Sequence, residues 1–78
     1  MSKDEQEQLI NDVAQEIAPV ISKIEKQPKL TQNHYGRYAA LLSKLAGNDK
    51  RLATLYAVAF IRAGANRSGV ANALKIAF

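Results

Sequence analysis

Leu52–Leu74 reads LATLYAVAFIRAGANRSGVANAL, and the fold of the chain turns on how this stretch divides. Residues 52–63 are apolar except for Thr54 and Arg62, and a helix that is apolar nearly all round is a buried one. Gly64 is placed to end that helix as its C′ residue, and Asn66 to cap the next one. The following helix is half polar. Val70, Ala73, Leu74 and Ala77 share one face, while Arg67, Ser68, Ala71, Asn72 and Lys75 occupy a different one. The stretch reads as a buried helix, a tight turn, and a helix with one face open to a partner. Ile76 and Phe78 fit neither face.

Upstream, Gly47 ends another helix, and Asn48 or Asp49 caps the buried one. Tyr35, Tyr38, Ala39, Leu42, Leu45 and Ala46 form its apolar stripe, with Arg37 and Lys44 opposite. Thr31 is its expected N-cap, with Leu30 and Tyr35 as a hydrophobic staple across it. Gly36 weakens this helix by roughly 1 kcal/mol relative to Ala and leaves room for another backbone to come close. Gln27–Pro28–Lys29 separates it from the first helix.

The first helix starts at the Ser2–Glu5 capping box and is expected to run to about Lys26. Leu9, Ile10, Val13, Ile17, Val20, Ile21 and Ile24 fall within about 120° of one face. Pro19 lands on the opposite side, so a bend or brief break is expected at Ala18–Pro19. Ile10, Val13, Ile17, Val20 and Ile24 also alternate in steps of three and four, the heptad pattern of a dimer seam. Packing on the chain's own core and pairing with a second copy both produce this stripe.

The fold class is therefore all-α, a compact bundle of about four helices in one domain, 1–78. Residues 1–27 form a long amphipathic first helix, and 31–78 a three-helix basic body. At 78 residues with no cysteine, the chain depends on helix packing or oligomerisation for stability. The twelve-residue run 52–63 is too short to span a bilayer. The acidic, polar start MSKDEQEQ is unlike a secretory signal. A cytoplasmic protein is expected.

Charge is unevenly distributed under a net +4. Residues 1–30 carry four Lys against six acids, a net −2, and residues 31–78 carry seven Lys or Arg against Asp49 alone, a net +6. A basic body of this kind favours anionic partners. Catalytic chemistry finds little support. One histidine and no cysteine make no metal site, and neither a cofactor motif nor a nucleophile elbow is present. His34, in the first turn of the second helix, reads as a solvated residue near a cap, and the acids as a solvated face of the first helix. An enzyme is not expected.

Ala63–Leu74 resembles the turn and recognition helix of bacterial helix-turn-helix repressors, especially the lac-repressor type, and Leu55–Ala59 resembles the start of their first motif helix. The similarity covers about twenty residues and departs from the motif at three points. Phe60, not a small residue, lies four before Gly64. Ala65 stands where a larger apolar residue is usual, and Gly69 falls inside the recognition helix. The resemblance implies a phage-like or bacterial regulator that reads double-stranded DNA with the 64–75 helix. From the residues themselves, Arg67 suits guanine and Asn72 adenine. Ser68 and Lys75 suit phosphate, Asn66 sits at the helix start, and Lys50, Arg51 and Arg62 add backbone contacts. A domain this small would act as a homodimer on paired half-sites. The alternative is a protein-interaction module, an accessory or inhibitor protein docking on a larger complex through the helix-one stripe or through Ile76 and Phe78.

Overall fold

Ser2 opens the first helix: its Oγ accepts from the Glu5 backbone N–H at 3.2 Å, as the Ser-x-x-Glu spacing predicts. The computed structural model describes residues 2–28 and 32–78, without the side chain of Gln32. Helix α1 spans Lys3–Lys26, and a 3₁₀ turn covers Gln32–His34. Three shorter helices follow: α2 (Tyr35–Ala46), α3 (Lys50–Arg62) and α4 (Arg67–Ala77). The fold is all-α, a four-helix bundle with no strand among the described residues. The expected Thr31 cap and the Leu30 end of the staple lie outside those residues.

Helix α1 passes through Pro19 without a break. Pro19 is exposed, so the carbonyl that loses its N–H partner lies where water can serve it. Ile10, Val13, Ala14, Ile17 and Ile21 are buried, and the helix lies along α3. This corrects the dimer-seam reading for Ile10, Val13 and Ile17, whose stripe is covered within the chain. Val20 faces outward at 45% exposure, and Ile24 is half-buried. Over so short a run, heptad spacing and the burial of one ordinary helix face look alike.

Helices α2 and α4 make the broadest contact in the fold, and both also rest on α3. Tyr38, Leu42, Phe60, Val70 and Ile21 are the largest fully buried side chains, with the Tyr38 and Phe60 rings 6.0 Å apart. Ala53, Ala57 and Ala59 are buried on α3, where small side chains let neighbouring helices approach. Asp49, not Asn48, caps α3: its Oδ1 accepts from the Leu52 N–H at 3.1 Å. Leu45 leaves the expected α2 stripe and is 37% exposed. Ile76 is the most exposed large hydrophobic side chain at 63%, whereas Phe78 packs partly on the core.

The close backbone approach expected at Gly36 occurs at Gly69 instead. Nothing lies within 4 Å of where a Cβ on Gly36 would sit, but a Cβ on Gly69 would meet the Asn33 carbonyl oxygen at 2.1 Å. That carbonyl is presented by two successive left-handed residues, Asn33 at φ 59° and His34 at φ 69°. Each such conformation costs an L-residue about 1–2 kcal/mol. His34 therefore precedes α2 and is buried, 3% exposed, with its ring edge-on to Tyr38 at 6.5 Å. The solvated His34 expected from sequence is corrected. The left-handed turn brings the imidazole to the Tyr38 ring, a geometry that helical spacing does not encode.

Gly69→Ala should therefore lower stability by about 2–4 kcal/mol in urea unfolding, because a backbone carbonyl has to move. Gly36→Ala should leave it unchanged or raise it by up to about 1 kcal/mol. Equal effects at the two sites would contradict the close approach at Gly69.

Candidate nucleic-acid interface

The turn between α3 and α4 is set by two carbonyls at the end of α3. The Ala65 N–H donates to the Phe60 carbonyl at 2.9 Å, and the Gly64 N–H to the Ile61 carbonyl at 3.1 Å. This is a Schellman ending, with Gly64 at φ 111° where a side chain would be strained. Its C″ residue, Ala65, is buried, as is Phe60 at C3. Phe60 and Ala65, two departures from the repressor-like pattern, are therefore the apolar pair that closes this turn. Asn66 then caps α4, its Oδ1 accepting from the Gly69 N–H at 2.6 Å.

Asn66 does more than cap. Its backbone N–H and its Nδ2 both donate to Glu25 Oε2, at 3.2 and 2.9 Å. Nδ2 also donates to the Asn33 carbonyl at 2.8 Å, and the Tyr38 hydroxyl donates to the same Glu25 oxygen. One carboxylate thus joins the end of α1 to the starts of α2 and α4. Partial burial pushes the Glu25 carboxyl up, but the hydrogen bonds from Tyr38 and Asn66, aided by the nearby His34, outweigh it and hold the group below the usual carboxylate range. Burial and the adjacent carboxylate push the Tyr38 phenol well above its ordinary value. Glu25 is half-buried, which corrects its assignment to the solvated face of the first helix. The sequence signal lay in its register, at the border of the apolar stripe beside Ile24, apart from the acids that cluster earlier in α1.

The residues expected to touch DNA fall into three groups. Arg67, Ser68 and Lys75 are exposed along the outer face of α4, and Asn72 is half-buried at the edge of that face. Lys50 and Arg51 are exposed on the first turn of α3. Asn66 and Arg62 are engaged within the chain. Arg62 reaches Glu7 at 2.5 and 3.4 Å and Asn11 at 2.9 Å. The pairing holds Glu7 below the usual carboxylate range, chiefly through that hydrogen bond. As a surface contact it screens readily and adds little to stability.

Two cations outside the expected set share the character of α4. Arg37 and Lys44 are exposed on α2, the helix with which α4 makes its broadest contact. Neither helix contains an acidic residue, so Arg37, Lys44, Arg67 and Lys75 project from an acid-free layer. The Arg62–Glu7 contact is the one ion pair among the described residues. Spacing had already set Arg37 and Lys44 opposite the α2 stripe; their proximity to the α4 face required the tertiary contact.

No group of three or more His, Asp or Glu side chains able to hold a metal comes together among the described residues. No helix there is long and apolar enough to cross a membrane. No protein-family model, curated protein or solved structure matches the chain.

The Glu25 network makes stability depend on pH at both ends. A depressed carboxyl contributes stability that is present above about pH 4.3, the unfolded value, and lost as pH falls through the folded one. A raised phenol contributes stability that is present below about pH 10 and lost as pH climbs above it. Thermal unfolding should therefore show a plateau from about pH 5 to about pH 10 with losses on either side. Tyr38→Phe should cost about 1.5–3 kcal/mol on the plateau and flatten the alkaline limb. An unchanged alkaline limb would place the Tyr38 hydroxyl outside the network.

Proposed function

We propose that the chain is a small non-enzymatic DNA-binding regulator of the cytoplasm that lays the outer face of α4 against duplex DNA. The observation that supports this reading is the acid-free layer of α2 and α4, with Arg37, Lys44, Arg67 and Lys75 exposed on it. Phosphate attraction supplies most of the affinity of such a surface. Arg67, the first residue of α4, is placed as a recognition helix places its base-reading residues, with guanine as its natural target. Ser68 and Lys75 then take phosphates, and Lys50 and Arg51 extend the backbone contact. Asn72 lies half-buried at the edge of the face. Asn66 and Arg62 move to supporting roles, because their polar atoms already have partners within the chain. Two copies on paired half-sites would enlarge a contact that one small domain leaves modest.

A second reading, docking on a larger protein, draws on Ile76, which follows Lys75 in α4 and is 63% exposed. Salt separates the two, since phosphate binding weakens steeply with ionic strength and apolar docking does not.

Fluorescence anisotropy with a random duplex tests the proposal. With three or four phosphates engaged, affinity should fall on the order of 100-fold between about 50 and 200 mM salt. Arg67→Ala with Lys75→Ala should remove most of that binding while leaving helicity unchanged. Arg62→Ala should have a smaller effect. No binding at low salt would retire the DNA reading and leave docking through Ile76.

A further inference from the structure

Charge on this molecule is divided between faces that the core holds apart. Glu5, Asp12 and Glu16 are exposed and lie within about 40° of one another at 100° per residue, opposite the buried line of α1. None of the three forms an ion pair with a described residue, although Asp12 accepts from Gln8 Nε2 at 2.9 Å. Arg37 with Lys44 on α2, and Arg67 with Lys75 on α4, lie opposite the buried lines of their own helices. Both outer surfaces face away from the shared core, so one copy cannot bring its own acids onto these cations. The two surfaces are also similar in length. At 1.5 Å per residue, Glu5 to Glu16 covers about 16 Å and Arg67 to Lys75 about 12 Å.

We propose that the acidic face of α1 docks on the cationic α2 and α4 face of a second copy. The contact is heterologous, because the docking patches differ and lie on different sides. It therefore assembles head to tail, into a ring or an open chain, and not into a two-fold dimer. Charge complementarity selects the partner: over Glu5–Glu16 the outer line of α1 carries carboxylates, with Lys23 only beyond them, and the α2–α4 layer has cations with no acid among them. The assembly covers the surface assigned above to DNA, so free protein is held in head-to-tail assemblies that DNA has to break. The inference shares that surface with the DNA reading, but its test needs no DNA.

Sedimentation velocity on the full chain at about 20 mM and about 500 mM salt reads the association, since screening shortens from roughly 20 Å to a few ångströms over that range. At low salt the average mass should rise with protein concentration, and high salt should weaken association by about tenfold or more. The triple variant Glu5→Lys, Asp12→Lys, Glu16→Lys and the double variant Arg67→Glu, Lys75→Glu should each sediment as monomers. Mixing the two should restore association, because each then carries the complement of the other. All five positions are exposed, and circular dichroism checks that both variants remain helical. If either unfolds, Asp12→Asn with Glu16→Gln provides a milder version that should weaken association. A wild-type monomer at both salts, association indifferent to salt, or folded variants that fail to associate on mixing would overturn the proposal. A chain that associates in this way yet ignores DNA would end the DNA reading alone.

Discussion

A single carboxylate oxygen holds the ends of three helices in register. Glu25 Oε2 receives the Tyr38 hydroxyl, the Asn66 backbone N–H and the Asn66 side-chain amide. Removed from part of its water, a carboxylate is stable only when such donors replace the solvent, and donors to a charged group give stronger bonds than neutral pairs. Asn66 then connects to Asn33 through one bond and to Gly69 through another. The entry of α4 is thereby set against the left-handed turn before α2. Gly69 is small because the Asn33 carbonyl occupies the space where a side chain would begin. Asn33 and His34 adopt their left-handed conformations in the same place, so local backbone cost is offset by a shared polar junction.

This junction orients what lies outside it. Because α4 enters against α2 and its buried line rests on the core, Arg67, Ser68 and Lys75 must point outward. The same contact puts α4 alongside a helix whose own outer residues include Arg37 and Lys44. The first helix lies along α3 and keeps most of its acids in solvent, Glu7 meeting Arg62 and Glu25 entering the junction. The result is a small dipolar molecule. Its cationic layer underlies the proposed DNA contact, and its acidic helix offers that layer a competitor from a second copy.

Several features are legible in the residues alone. Ser2, Asp49 and Asn66 occupy cap positions whose side chains accept from the first turn of each helix. Gly47 and Gly64 close α2 and α3 with positive φ. The core line of α1 and the Val70–Ala73 line of α4 follow helical spacing into burial. These succeed because capping and amphipathic period are local properties, settled within one or two helical turns. The repressor-like resemblance had a different fate at its departures: Phe60, Ala65 and Gly69 have structural reasons in this fold that the motif does not contain.

The sequence by itself therefore determined an all-α chain, the ends of its helices other than the start of α2, most of the side that each helix buries, and the concentration of positive charge after residue 31. Only the tertiary structure decided which surface covers each apolar side. It assigned Ile10, Val13 and Ile17 to the chain's own core, buried His34, drew Glu25 into a polar junction and put the close approach at Gly69, not Gly36. It also engaged Asn66 and Arg62 while leaving Arg67 and Lys75 exposed. The physical reason is range. A helix face is encoded by residues three or four apart, whereas Glu25 and Asn66, or Asn33 and Gly69, meet only once whole helices have packed.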